Sequence, residues 1–122
     1  MKVFDASAVL AFLLGEPGGP AAAGAMNGAY ISSVNAAEVY TRLARLGVHP
    51  DETAEDLSDA GLSVLDATEP LARTAGELSD RPGLSIGDRF CIALAQSMAL
   101  PVVTSDRIWD RLDLPVTVEL IR

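Results

Sequence analysis

The apolar positions of this chain switch repeatedly between strand-like and helix-like patterns. Lys2 to Asp5 is strand-like, and Ala6 to Leu14 is Ala- and Leu-rich, which favours helix. Gly15-Glu16-Pro17-Gly18-Gly19-Pro20 then breaks the chain. Pro20 suits the first position of a short helix through Met26, which Gly28 ends. Ala29 to Ser32 predicts a second strand, and Asn35 to Leu46 a helix stopped by Gly47. Pro50 to Ala60 predicts another helix, Leu62 to Leu65 a third strand, and Thr68 to Leu78 a further helix. After the loop Asp80-Arg81-Pro82-Gly83, Ser85 caps a helix with the stripe Phe90, Leu94 and Met98, flanked by Cys91 and Ala95. Pro101 to Thr104 reads as a short buried strand of the parallel kind, Ser105 to Leu112 as a turn of helix, and Val116 to Leu120 as the last strand. The alternation predicts an α/β fold, a parallel sheet covered on both faces and joined by right-handed crossovers. No repeat or linker divides the chain, so residues 1–122 are expected to form one domain.

Composition narrows the function classes. Almost half of the 122 residues are apolar and 21% are charged, a globular balance. No apolar run reaches the roughly 18 residues of a membrane helix. The start runs straight into a strand pattern, so neither a leader peptide nor a membrane partner is expected, and the chain reads as cytoplasmic. Cys91 is the sole cysteine and sits in a helical apolar pattern, where packing is expected. A formal charge of −8 argues against broad nucleic-acid affinity. The charge is uneven, however. Asp51, Glu52, Glu55, Asp56 and Asp59 crowd one predicted helix face, while Arg42, Arg45, Arg89, Arg107 and Arg111 lie near other acids in sequence.

Those other acids carry the chemistry. Asp5, Glu38, Asp88 and Asp106 each fall where a predicted strand ends or a helix begins. In an alternating α/β sheet such points lie along the carboxyl edge. Four carboxylates in one cleft would repel strongly unless cations sat among them. Clustered oxygen ligands favour Mg²⁺ or Mn²⁺, and phosphodiester hydrolysis is a chemistry commonly built on such sites. Each acid also has a purely structural explanation. Asn35-Ala36-Ala37-Glu38 and Ser85-Ile86-Gly87-Asp88 fit capping boxes, and Asp5 and Asp106 could favour the starts of their helices. Taken singly, Glu38 and Asp88 read as caps, while Asp5 and Asp106 are evenly balanced. As a set they are harder to dismiss: Glu38 and Asp88 each follow a polar cap at the start of an apolar helix, while Asp5 and Asp106 sit beside small hydroxyl residues, Ser7, Thr104 and Ser105, which leave room for a hydrated ion. Asp66 also ends a strand, and Asp66-Ala67-Thr68-Glu69 reads as another capping box. Asp66 joins the site only if the third strand is central. Trp109 beside Ile108 and Leu112 reads as packed, and His49 has no Cys or His companion for a zinc site.

Four stretches together resemble the PIN-domain ribonucleases of the VapC toxin type, from bacterial toxin–antitoxin pairs. They are Val3-Phe4-Asp5-Ala6-Ser7-Ala8; Ile31-Ser32-Ser33 with Glu38; Leu84 to Ala95; and Val103-Thr104-Ser105-Asp106-Arg107-Ile108-Trp109. They occur in the family's order, and the similarity spans the whole length. The resemblance implies a PIN-like three-layer α/β/α fold with a central, mainly parallel five-stranded sheet in the order 3-2-1-4-5, which excludes Asp66. It implies an acidic quartet of Asp5, Glu38, Asp88 and Asp106 that holds Mg²⁺ or Mn²⁺ and cleaves RNA. Asp5 and Asp88 would hold the principal ion, with Asp106 completing the shell and Glu38 binding metal or orienting water. Thr104 and Ser7 would support the carboxylates, and Arg89 and Arg107 would either contact phosphate or pair with the acids. The resemblance also implies a homodimer and a cognate VapB-type antitoxin whose C-terminal segment blocks the groove. Two other classes fit the same alternation. A receiver-type phosphoacceptor would use Asp66 and Thr104 but expects paired acids after the first strand and a lysine after the fifth; here Asp5 stands alone and Lys2 is the only lysine. A catalytically idle interaction domain would keep the groove without the chemistry.

Overall fold

The computed structural model describes all 122 residues. Strands β1 (Val3–Phe4), β2 (Tyr30–Ser32), β3 (Ser63–Leu65), β4 (Val102–Thr104) and β5 (Val118–Leu120) form one sheet in the order β3-β2-β1-β4-β5. Every pairing is parallel. The helices are α1 (Ala6–Leu14), α2 (Gly19–Met26), α3 (Ser33–Arg45), α4 (Pro50–Asp59), α5 (Glu69–Glu77) and α6 (Ile86–Met98), with short 3-10 turns at Leu78–Asp80 and Arg107–Arg111. No helix is long and apolar enough to cross a membrane.

Alternation along the central strands builds two cores. Phe4, Ile31 and Val103 point into one, with Val9, Met26, Val39, Leu43 and Leu57 from α1 to α4. Val3 and Val102 point into the other, with Cys91, Ile92, Ala95 and Trp109. Helices therefore cover both faces, in three layers. Helix α6 buries more than the expected stripe. Its residues 91–95 are all buried, while Phe90 and Met98 are only partly so. A helix enclosed on most of its circumference shows no single apolar face.

The starts of the helices also differ from expectation. Ser32 caps α3 by accepting from the Val34 N–H (3.1 Å), so α3 begins two residues before Asn35 and Asn35 is not the cap. Thr68, not Asp66, caps α5. Asp5 occupies the cap position of α1 but accepts no backbone N–H there. The box at Ser85 and Asp88 is present in both directions. Asp106 accepts from the Ile108 N–H (3.0 Å), as a cap does.

Candidate active site at the carboxyl edge

The chain leaves β1 toward β2 and β3 on one side, and β4 and β5 lie on the other. The switch point thus falls between β1 and β4, where open α/β sheets place their crevice. Phe4 is in register with Val103, which sets Asp5 beside Thr104 and Asp106 one step beyond. Helix α3 starts directly from β2, and α6 packs against it. These placements bring Asp5, Glu38, Asp88 and Asp106 to one cleft of about 500 Å³, lined otherwise by Ala6, Ser7, Leu10 and Ser105. No basic residue lines it, and none of the four acids takes part in an ion pair. Asp66 follows the edge strand β3 and does not line the cleft. A cleft of about 450 Å³ at the opposite end of the sheet, beside the Lys2–Glu119 pair (2.9 Å), gathers no such cluster.

Each carboxylate is held by one oxygen through uncharged donors. Asp5 Oδ2 accepts from Ser7 Oγ (2.7 Å) and Thr104 Oγ1 (2.9 Å). Glu38 Oε1 accepts from Asn35 Nδ2 (2.9 Å). Asp88 Oδ2 accepts from the Ser85 N–H (2.9 Å), and Asp106 Oδ1 from the Ile108 N–H. The second oxygen of each has no protein donor. The two strand tips are tied together, since Ser7 Oγ also accepts from the Ser105 N–H (3.0 Å) and Thr104 Oγ1 from the Asp106 N–H (3.1 Å). Ser7 and Thr104 thus brace Asp5 and Asp106 as one unit.

The acids pay electrostatically for this placement. Burial above all raises the Asp5 pKa to about 6; its hydroxyl donors oppose the rise, and the charges of Asp88 and Glu38 add to it. Burial likewise raises Glu38 and Asp88, with further upward pressure from Asp88 on Glu38 and from Asp106 on Asp88. The Cys91 thiol, fully buried behind them, is pushed up by burial first and then by Asp5, Asp88 and Glu38. Charge repulsion of this kind is relieved by a cation. The four donor-free oxygens are the hard ligands that Mg²⁺ or Mn²⁺ prefers, so the residues fit such an ion. The side chains face a common space without closing on one point. No three of them are clustered tightly enough to hold a metal as they stand.

Neither Arg89 nor Arg107 pairs with an acid. Arg89 donates from Nη1 to the Ala75 carbonyl (3.3 Å) on α5, and Arg107 is exposed beside Asp106. Trp109 is wholly buried, which removes it as a stacking platform. His49 caps α4, its Nδ1 accepting from the Asp51 N–H (3.1 Å). Two contributors escaped the sequence reading. Asn35 is fully buried against Glu38, and Gly87 lies so close to the Glu38 carboxylate that a side chain there would strike it. Only the spacing of Asn35 and Glu38 hinted at this, and it read as a cap.

The sequence profile described as PIN domain matches residues 2–114. Among solved structures, a toxin–antitoxin complex from Klebsiella pneumoniae superposes with a TM-score of 0.83 at 20% identity, covering 100% of this chain and 98% of that one. FitAcB from Neisseria gonorrhoeae gives 0.73 at 18% identity, covering 99% and 98%. DNA-bound VapBC from Salmonella typhimurium gives 0.70 at 20% identity, also covering 99% and 98%. No curated protein matches the chain.

Proposed function

Because this chain belongs to the PIN-domain family, we propose that it is a metal-dependent endoribonuclease and the toxin of a VapBC-type toxin–antitoxin pair. The observation that carries the proposal is the cleft itself. Four carboxylates from separate parts of the chain line it, with no basic side chain among them and one donor-free oxygen on each. A fold selected for stability alone would not gather unpaired acids around a carboxylate as buried as Asp5, whose pKa burial raises to about 6.

In this reading Asp5 and Asp88 would be the principal ligands of Mg²⁺ or Mn²⁺, with Asp106 as a further ligand and Glu38 binding metal or orienting a water. A bound ion would supply an activated water and offset charge on the phosphate in the transition state. Ser7 and Thr104 keep Asp5 oriented with one oxygen toward the cleft. Hydrolysis would form a bond from the water oxygen to phosphorus and break the bond to the 3′ oxygen, which leaves as a hydroxyl after taking up a proton. That route needs no 2′-hydroxyl, so preference for RNA rests on the shape of the groove. Arg107, exposed beside Asp106, is placed to meet the RNA backbone. The neighbouring structures include toxin–antitoxin complexes, which supports a VapB-type antitoxin as partner. A homodimer with an antitoxin segment laid in the cleft is the assembly implied.

The test is purified Asp5→Asn, which keeps the shape of the side chain and removes its charge. The parent should cut RNA with Mg²⁺ or Mn²⁺ and stop on chelation, and the variant should be inactive. Equal rates for the two proteins would overturn the reading.

A further inference from the structure

We propose that Asn35 is a positioning residue for the reaction, fixing the Glu38 carboxylate and tying it to the start of the helix that carries Asp88. The inference rests on the nuclease reading above and deepens it.

Asn35 lies in the first turn of α3 and is fully buried. Its Nδ2 makes two hydrogen bonds, to Glu38 Oε1 (2.9 Å) and to the Gly87 carbonyl (3.0 Å) on α6. One amide group thus links α3 to α6. Both partners are acceptors, so the amide must present its nitrogen to them. Its Oδ1 is consequently left buried with no donor. A buried, unsatisfied carbonyl is a cost to the fold that an apolar side chain of similar volume would remove. A residue that leaves its own oxygen unsatisfied and spends one of its two bonds on a candidate catalytic carboxylate, the other on the helix that carries Asp88, is better explained by the site than by the core.

The opposite wall shows the same constraint. A Cβ at Gly87 would collide with Glu38 Oε1, and would lie 2.9 Å from Cδ and 3.1 Å from Oε2. The Glu38 carboxylate therefore packs on bare backbone, one residue from Asp88, with Asn35 pinning one oxygen. Glu38 is itself exposed at the cleft rim, where an unanchored Glu would sample several rotamers. Partners of this kind set the orientation of ligating carboxylates, and removing them typically costs about 10- to 100-fold in metal affinity or activity.

The experiment compares the parent, Asn35→Leu, Glu38→Gln and the double variant, with Mn²⁺ binding measured by calorimetry and RNA cleavage measured in parallel. Asn35→Leu should melt at or above the parent temperature yet bind Mn²⁺ about 10-fold more weakly and cleave about 10-fold or more slowly. In the Glu38→Gln background, losing Asn35 should change either quantity less than twofold, because the residue acts through Glu38. A second route leaves Asn35 in place. In the parent, the Asn35 side-chain amide signals should shift saturably during a Mg²⁺ titration, and Gly87→Ala should weaken Mn²⁺ binding in the same direction as Asn35→Leu. A parent-like affinity and rate in folded Asn35→Leu, or full additivity with Glu38→Gln, overturns the proposal. So do amide signals of Asn35 that stay fixed while the backbone of Asp5 and Asp88 responds. A parent that neither binds Mn²⁺ nor cuts RNA overturns the nuclease reading, and this proposal with it.

Discussion

Replacing Asp5 by Asn should make the metal-free protein more stable while abolishing its activity. The side chain is 5% exposed, and burial first of all moves its pKa from the ordinary 3.8 to about 6. The folded protein therefore holds the Asp5 proton to a higher pH than the unfolded chain does. Stability from this group is present below about pH 4, falls as pH rises to about 6, and is fully lost above that. At about 1.4 kcal/mol per pKa unit, ionised Asp5 costs the metal-free fold about 3 kcal/mol at neutral pH. Asn carries no charge, and its Oδ1 can accept the Ser7 and Thr104 hydroxyl bonds, both of which end on a single carboxylate oxygen. Unfolding can be followed by the emission of Trp109, the sole tryptophan and fully buried. Near pH 7.5 without metal, Asp5→Asn should be about 2–3 kcal/mol more stable, which raises Tm by about 6–12 °C for a chain of this size. The difference should shrink toward zero by about pH 4. Saturating Mn²⁺ should narrow it from the other side by stabilising the parent alone. A variant less stable than the parent near pH 7.5, or a gap that ignores pH, would refute the reasoning.

Other substitutions separate structural from chemical roles. Ser85→Ala removes the hydroxyl that accepts from the Asp88 N–H and should cost about 1 kcal/mol, read as a lower denaturation midpoint. Ala99 closes α6 with a positive φ of 53° on an exposed residue, so Ala99→Gly should gain about 0.5–1 kcal/mol in the same assay and leave cleavage unchanged. Arg107→Ala should raise KM for RNA and flatten its salt dependence with kcat retained, as measured by initial rates at several salt concentrations.

Much of this architecture was legible in the residues, and the exceptions have physical causes. The strand and helix order followed from period changes and from breakers such as Gly15 to Pro20 and Gly47. Strand order did not, because nothing local to Ser63–Leu65 distinguishes an edge from a centre; the family resemblance supplied it, and with it the exclusion of Asp66. The capping pattern at Ser85 translated directly into structure, since both partners lie within one turn. The same spacing at Asn35 and Glu38 misled. Ser32 started α3 two residues earlier, and the Asn35 amide found Gly87, a partner 52 positions away. The stripe expected on α6 is buried at Cys91, Leu94 and Ala95, and burial reaches beyond it to Ile92 and Ala93, which face the second side of the helix's packing. Asp5 was placed correctly at a helix start, but the hydroxyls that hold it come from both Ser7 and the distant Thr104, a pairing only the β1–β4 register reveals.

The central claim is that four distant carboxylates gather a divalent ion at the switch point of the sheet. Paramagnetic broadening by substoichiometric Mn²⁺, followed on the backbone amides, tests it most directly. The signals of Asp5, Glu38, Asp88 and Asp106 should broaden together in the parent and stay sharp in Asp5→Asn. Broadening confined to the exposed acidic helix around Asp51 to Asp59, or unchanged by the substitution, would contradict it.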